Sequence, residues 1–453
     1  MTPVPSAVGL PADADAVFDA RLFRKITWRL MPLLFVSYVI AYVDRINIGF
    51  AKLQMLDDLG FSATVYGLGS GVFFLGFILF EVPSNLLLYR VGARRWIARI
   101  MVTWGVISVA TLYVTTPAAF YAIRFLLGAA EAGFLPGVVY YLTQWYPQRR
   151  HGRAIALLIT AAAVGGIVVG PLSGWMMDTF ADVAPLRNWQ WLFLLQGAPA
   201  VLMGVVVWCL LEEAPRTAKW LTDAERQRLA TLIGADRQTS AQRAHLRDAF
   251  AQGRVWLLGL VLACLNLGIY AVVFWTPTII HQTGVTSYRT IGLISALPYL
   301  ASAIAMPLIG RSSDLLAERR WHIAGASLAG AAGLVLTLSA SAHPTWAIAG
   351  VTLATAAFIG ATPLVWALAS VFVRERAAAA GLALINALAA LGGVFGPYLM
   401  GLGQDLMGNT QMALFGVAML AVAGGLLVLV LPTPRRLAAE HAAMAAAGPG
   451  ERP

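Results

Sequence analysis

The sequence predicts an all-α membrane protein with twelve transmembrane helices arranged as two pseudo-symmetric six-helix bundles. Its composition, the lengths of its apolar runs and an internal repeat support this reading. Hydrophobic residues make up 59% of the 453 positions and charged residues only 12%, with a mean hydropathy of +0.73. A soluble chain carries about a quarter charged residues. No soluble core needs this much apolar surface, so the surplus must face lipid.

A helix crossing the hydrocarbon needs ~20 mostly apolar residues, at 1.5 Å per residue over roughly 30 Å. Twelve runs meet that need: 27–50, 63–88, 95–115, 118–143, 152–177, 189–211, 255–280, 288–310, 321–341, 345–371, 378–402 and 411–432. Of the 32 Lys and Arg residues, only Arg45 and Arg124 fall deep within spans. Only Lys52, Arg187 and Arg289 fall in loops after odd-numbered helices. The remainder lie at the termini and around the loops after even-numbered helices, which places both termini in the cytoplasm. An even helix count requires the same. The net charge of +10 is therefore a topology signal, and no basic soluble module suggests nucleic acid. Cys209 and Cys264 lie in apolar runs without metal-ligand spacing and read as reduced packing residues.

The halves repeat. Gly165 to Asp178 (GGIVVGPLSGWMMD) resembles Gly392 to Asp405 (GGVFGPYLMGLGQD), and the Gly170-Pro171 and Gly396-Pro397 pairs stand 226 residues apart. Asn85-LLLYRVGARR and Gly310-RSSDLLAERR match at an offset of 225. Duplicated halves imply a site at the midplane between them, with alternating access. Between the halves, Leu221 to Ile233 is amphipathic, with Thr222 as N-cap and Glu225 three residues on. The chain thus divides into a cytosolic tail (1–25), a first bundle (26–211), a cytosolic linker (212–254), a second bundle (255–432) and a second tail (433–453).

At these residues the chain resembles the major facilitator superfamily. Gly310, Asp314, Arg319 and Arg320 are similar to the superfamily's loop signature. In the first half Arg90, Gly92, Arg94 and Arg95 match, but Asn85 and Tyr89 replace the usual Gly and Asp. That departure resembles one branch, the anion:cation symporter family. So do Tyr42-Val-Asp44-Arg45-Ile-Asn47, Phe80-Glu81-Val-Pro83-Ser84-Asn85, Val91-Gly-Ala-Arg-Arg-Trp96, and Arg124-Phe-Leu-Leu-Gly128-Ala-Ala-Glu131 with its following Ala-Gly133. The resemblance covers about residues 25–435 and is strongest to bacterial permeases for tartrate, phthalate and hydroxyphenylacetate. It implies the major facilitator fold, a monomer, and a buried acid serving proton coupling.

Five ionisable residues sit inside predicted spans: Asp44, Arg45, Glu81, Arg124 and Glu131. Each costs about 2.5–3.5 kcal/mol at a helix centre, so each must pair, protonate or face a wet cavity. Arg45 is the first candidate for a substrate carboxylate, because a guanidinium matches it with two parallel hydrogen bonds. Tyr38 and Tyr42 share its helical face. A static ion pair is the competing reading. Asp44, about 100° around the helix, is a candidate proton carrier or a gate. Glu131 is the stronger proton candidate, with no cation beside it in sequence. Arg124, two turns earlier, reads as a second anion contact or a gate.

Glu81, near the cytoplasmic end of its helix, reads as a conformational lock, as do Arg94, Arg95, Arg311 and Asp314; simple topological flanking explains the last four equally well. The second half offers Asn266, Tyr270, Trp275, Trp366 and Asn386 as polar and aromatic substrate contacts. These residues point to uptake of a small organic carboxylate anion with protons across a bacterial inner membrane. The proton gradient is then the driving force, and no cofactor or metal is expected. The alternative is proton-antiport efflux of a drug-like or lipophilic compound, although two embedded arginines would repel a cationic cargo. An enzyme is not indicated: there is no nucleophile elbow and no paired histidines at metal spacing.

Overall fold

The computed structural model describes residues 12–181, 183–238, 252–338, 344–372 and 378–432. Every regular element among them is helical. The first span is α1 (Ala12–Ile46) and α2 (Ile48–Leu59), broken at Asn47. Next come α3 (Ala63–Val91) and α4 (Ala93–Ala110). The fourth span is again broken, into α5 (Pro117–Glu131) and α6 (Phe134–Thr143). Then α7 (Gln148–Thr179) and α8 (Asn188–Leu210) complete the first bundle. After the linker helix α9 (Asp223–Gln238), the second bundle runs α10 (Gly253–Gln282), α11 (Tyr288–Ser295), α12 (Leu297–Leu315), α13 (Arg320–Thr337), α14 (Pro344–Phe372), α15 (Ala378–Met407) and α16 (Gln411–Leu427).

Eleven helical stretches among the described residues are long and apolar enough to cross a membrane. The ninth predicted run, 321–341, coincides with the shorter α13, which packs against α14 and α16; its last residues lie outside the described set, as does the predicted tail 433–453. Starts follow local chemistry. Ser62 caps α3 by accepting from the Val65 amide at 3.2 Å, and Thr116 caps α5, whose first residue is Pro117.

The two halves meet chiefly along α3 with α15, α7 with α11 and with α12, and α2 with α10. Their closest approaches gather at the end of the molecule that holds the α2–α3 and α10–α11 connections. A Cβ on Gly170 would collide with the Gly292 carbonyl, and one on Gly292 with the Gly170 carbonyl, so both positions admit only glycine at this spacing. The last residues of the repeated motifs act reciprocally here. Asp178 of the first half accepts from the Arg289 amide at the start of α11, at 2.9 Å. Asp405 of the second half accepts from the Ala63 and Thr64 amides at the start of α3, at 3.1 and 2.7 Å. Each half thus caps a helix of the other, placing a carboxylate against unpaired amides and the positive end of a helix dipole.

The linker helix carries the predicted capping box. The Glu225 amide donates to the Thr222 hydroxyl at 3.3 Å, and the Thr222 amide to the Glu225 carboxylate at 2.8 Å. Glu225 also receives Lys25 at 2.8 Å, and Arg228 grips Asp19 at 2.8 and 3.0 Å. These contacts staple α9 to the beginning of α1, with Trp220 stacked on Trp145 (5.5 Å between centroids).

Desolvation works against the Glu225 charge, but Lys25 and the Thr222 amide and hydroxyl outweigh it and hold its carboxyl below the usual range. A depressed folded-state value means that the contact is fully present above the ordinary glutamate pKa of about 4.3 and is lost as pH falls through the lower, folded value. Spin labels on α9 and α1 should therefore keep their separation from neutral pH down to about 5 and part below about 4, with the acid step absent in Glu225→Gln. For the seam, Asp178→Ala combined with Asp405→Ala should open the capped end. Each lost cap is worth about 1 kcal/mol, roughly fivefold in the closed-to-open ratio; distances between labels in the 60–62 and 284–287 loops would report it.

Candidate functional site

Two helix breaks meet at the centre of the molecule. Arg45 stands in the last turn of α1, just before the break at Asn47. Glu131 is the last residue of α5, just before Gly133, whose backbone is left-handed (φ 85°). Only glycine takes that conformation without strain, and a Cβ there would strike the Ser84 hydroxyl. A helix C-terminus presents unpaired carbonyls and a negative dipole end, which suits a cation such as Arg45 and opposes an anion such as Glu131. The two resolve this together: the Arg45 guanidinium Nη2 donates to the Glu131 carboxylate in an ion pair whose carboxylate is buried and whose guanidinium is part-buried. Discontinuous helices are how membrane transporters place charged groups at the midplane.

Aromatic rings surround the pair. Phe73 of α3 stands between two guanidiniums, 5.7 Å from that of Arg45 and 5.0 Å from that of Arg124, and Phe77 lies 5.6 Å from Arg45. Tyr38 and Tyr270 both lie within electrostatic reach of Arg45. Tyr270 packs on Phe74 (4.5 Å), and Tyr42 meets Tyr299 edge-on (6.4 Å). The predicted Tyr38–Tyr42–Arg45 stripe and Tyr270 therefore do come together. Tyr299, which no sequence motif singles out, joins them from α12; its hydroxyl is buried without a hydrogen-bond partner. Arg124 is 1% exposed, and all three of its guanidinium nitrogens lack a hydrogen-bond acceptor. The nearby Ser70 hydroxyl is likewise unpaired. Asp44 accepts from the Ser108 hydroxyl and, at 3.5 Å, from the Asn47 amide.

Folding gives several of these residues partners that the sequence does not name. Glu131 has a cation beside it after all, since Arg45, 86 positions away in sequence, comes to it through folding. Asp44 is held by Ser108 and Asn47. Asn386, expected at the substrate, directs its amide to both oxygens of Glu81 at 3.2 Å, so these residues form one link between α15 and α3. Asn266 donates to the Ala389 carbonyl at 3.1 Å, tying α10 to α15. Trp366 is half-buried on α14 with no ring contact or hydrogen bond to the arginine site among the described residues. Asp314 pairs with Arg319 in its own half at 3.5 Å. Arg94 lies 6.0 Å from Trp208, also in its own half, while Arg95 and Arg311 are exposed.

Lys52 is the largest departure. Read as a loop residue, it is buried on α2, with its ammonium 2.9 Å from the ring centre of Trp275 on α10 and 4.9 Å from that of Tyr66. It has no hydrogen-bond acceptor. Trp275, expected at the substrate, thus faces Lys52 instead. One turn earlier Gly49 lies against the Phe274 carbonyl, which also accepts the Tyr66 hydroxyl at 2.9 Å. An apolar run interrupted by one lysine gave no sign that α2 continues the first span.

The chain from residue 34 to 397, and again from 286 to 447, matches the Major Facilitator Superfamily profile. The chain belongs to the major facilitator superfamily. It is similar to the provisionally named metabolite transport protein NicT of Pseudomonas putida, 46% identical over 95% of this chain and 98% of that one. A provisionally named tartrate transporter of Agrobacterium vitis is 42% identical over 91% and 95%, and a quinolone resistance transporter of Acinetobacter baumannii 37% identical over the same shares. The solved inward-facing, occupied structure of a bacterial homologue of the lysosomal transporter Spinster superposes with a TM-score of 0.70 at 15% identity, covering 88% of this chain and 94% of that one. This facilitator is a multi-pass membrane transporter and not an enzyme.

Burying an ammonium without a hydrogen-bond partner costs several kcal/mol, while a desolvated cation–π contact returns about 2 kcal/mol. Lys52 therefore works against closure of the seam it occupies. Lys52→Met should shift the equilibrium towards the closed seam by at least about tenfold, opposite in sign to the loss of the aspartate caps and readable with the same pair of labels. A shift towards opening would show that the indole contact is a net latch.

Proposed function

We propose that this facilitator is a proton-coupled symporter of small organic carboxylates, taking up one anion with protons by alternating access. The buried Arg45–Glu131 pair carries the reading. Arg45 can serve one carboxylate fully at a time, so a substrate carboxylate and Glu131 compete for the same fork. Protonating Glu131 releases Arg45 to the substrate. The empty form then returns with Arg45 and Glu131 paired, and the loaded form crosses with Arg45 on the substrate and a neutral glutamic acid. Either form is electrically balanced at the site, whereas substrate without a proton, or a proton without substrate, leaves one buried charge uncompensated at a cost of several kcal/mol. That penalty is what couples the two fluxes.

Arg124, with its three unengaged nitrogens, offers a second cationic fork, and Tyr38, Tyr42 and Tyr270 supply hydroxyls for the substrate's remaining oxygens. The relative named for tartrate supports a carboxylate cargo. Asp44 is a second proton carrier. With both termini cytoplasmic, as the basic loops argue, the closed seam lies on the outer side and this form faces inward. Glu81 and Asn386 then hold the halves together on the way to the inner side.

Purified protein in proteoliposomes should accumulate one member of a panel of aromatic, hydroxy-dicarboxylic and sugar acids when the outside is acid, and lose that accumulation when the gradient is reversed. Glu131→Gln should retain exchange of substrate across the membrane while abolishing gradient-driven accumulation. Arg45→Ala should abolish both, through loss of a charge-assisted pair that costs 3–5 kcal/mol when one partner is removed, at least about a hundredfold. The relative named for quinolone resistance defines the opposite outcome: gradient-dependent extrusion of a lipophilic compound, with no acid accumulated, would replace symport by efflux.

A further inference from the structure

Near the N-terminal end of α1, a cleft of about 330 Å³ opens between that helix and the start of α7. Three arginines line it: Arg24 from α1, and Arg150 and Arg153 from α7. None of the three has an acidic partner among the described residues. The floor is aromatic, with Phe23 stacked on Tyr146 at 6.1 Å and the Tyr146 hydroxyl bonded to Thr27 at 2.9 Å. Arg150 is held over Phe23 at 4.5 Å, which fixes its guanidinium at the cleft. On the rim, Trp28 is 77% exposed, an amphipathic ring at the level where membrane proteins place their aromatic belts.

We propose that this cleft is a binding site for the headgroup of an acidic phospholipid. The positive-inside rule accounts for basic residues at this end of the bundle, but it does not account for three converging on one cleft over an aromatic floor. Nor does helix stability, since cations in the first two turns of α7 oppose that helix's dipole. Guanidiniums take phosphodiester oxygens with two parallel hydrogen bonds. Basic pockets between spans on the cytoplasmic side suit acidic headgroups in the same way. The exposed apolar flank running away from the arginines past Trp28 and Leu157 would carry the acyl chains. A lipid seated here would bridge α1, which carries Arg45 and the staples to α9, to α7, which carries Asp178 and Gly170 of the seam.

The test is native mass spectrometry of the delipidated full-length protein titrated with phosphatidylethanolamine, phosphatidylglycerol or cardiolipin, with inorganic phosphate added as a competitor in a separate arm. Acidic lipid should bind at least about tenfold more tightly than phosphatidylethanolamine. Arg150→Gln with Arg153→Gln should remove that preference, and the charge-matched Arg216→Gln with Lys219→Gln should keep it. Should the first variant not fold, Arg150→Lys with Arg153→Lys preserves the charge but not the planar fork, and should bind acidic lipid more weakly than wild type. Equal preference in the cleft variant and the wild type, or equal loss in the charge-matched control, would overturn the proposal. Displacement by inorganic phosphate would overturn it in favour of a site for a free anion.

Discussion

Hydrocarbon tolerates ionised side chains only when something compensates them, and the architecture of this facilitator is organised around that constraint. Arg45 and Glu131 meet because α1 and α5 both stop at the same depth, and the broken ends themselves influence which charge is welcome. Phe73 and Phe77 lie over the guanidiniums, and tyrosines from both halves reach in. If the pair is broken without a replacement, Glu131 is left as an unpaired buried charge. Removing one partner of such a pair costs more than the pair itself contributes, so each depends on the other.

The seam obeys a different rule. It rests on backbone contact, with facing glycines on α7 and α11 and aspartates of each half capping a helix of the other. Such contacts are short-ranged and specific in geometry, so they support a closed state and an open state better than a continuum between them. Lys52 sits in the middle of this closure, buried without a hydrogen-bond acceptor. A seam assembled from caps and close packing, and loaded with one costly cation, is balanced so that modest changes elsewhere can tip it.

Much of this was legible in the sequence. Apolar run length located most spans to within about five residues, though the first runs well past its predicted ends at 27 and 50; the repeat identified the paired halves, and Thr222 with Glu225 announced the linker helix. The aspartates that cap across the seam were also in view, as the last residues of the two matched motifs, but a repeat does not say that its ends cross over. What stayed hidden was pairing. Arg45 with Glu131, and Asn386 with Glu81, depend on how helices far apart in the chain pack, and helical periodicity gives a face without naming its neighbour. Lys52 was missed because charge alone was read as an end of a span, when an indole and a phenol from packed helices could receive it. The breaks at Asn47 and Gly133 escaped for a related reason: an apolar run reads the same whether its helix is continuous or interrupted.

Among the ionisable side chains on the spans of the first half, Arg45, Lys52 and Arg124 stand against Asp44, Glu81 and Glu131. In their ordinary charged states these cancel. A membrane potential does work of about 2.3 kcal/mol per elementary charge per 100 mV, so it has little net purchase on these six side chains taken together. Voltage would act instead on whatever charge the cargo brings. An asymmetric distribution of charge between the halves is thus compatible with a resting cycle that is blind to the field across the bilayer.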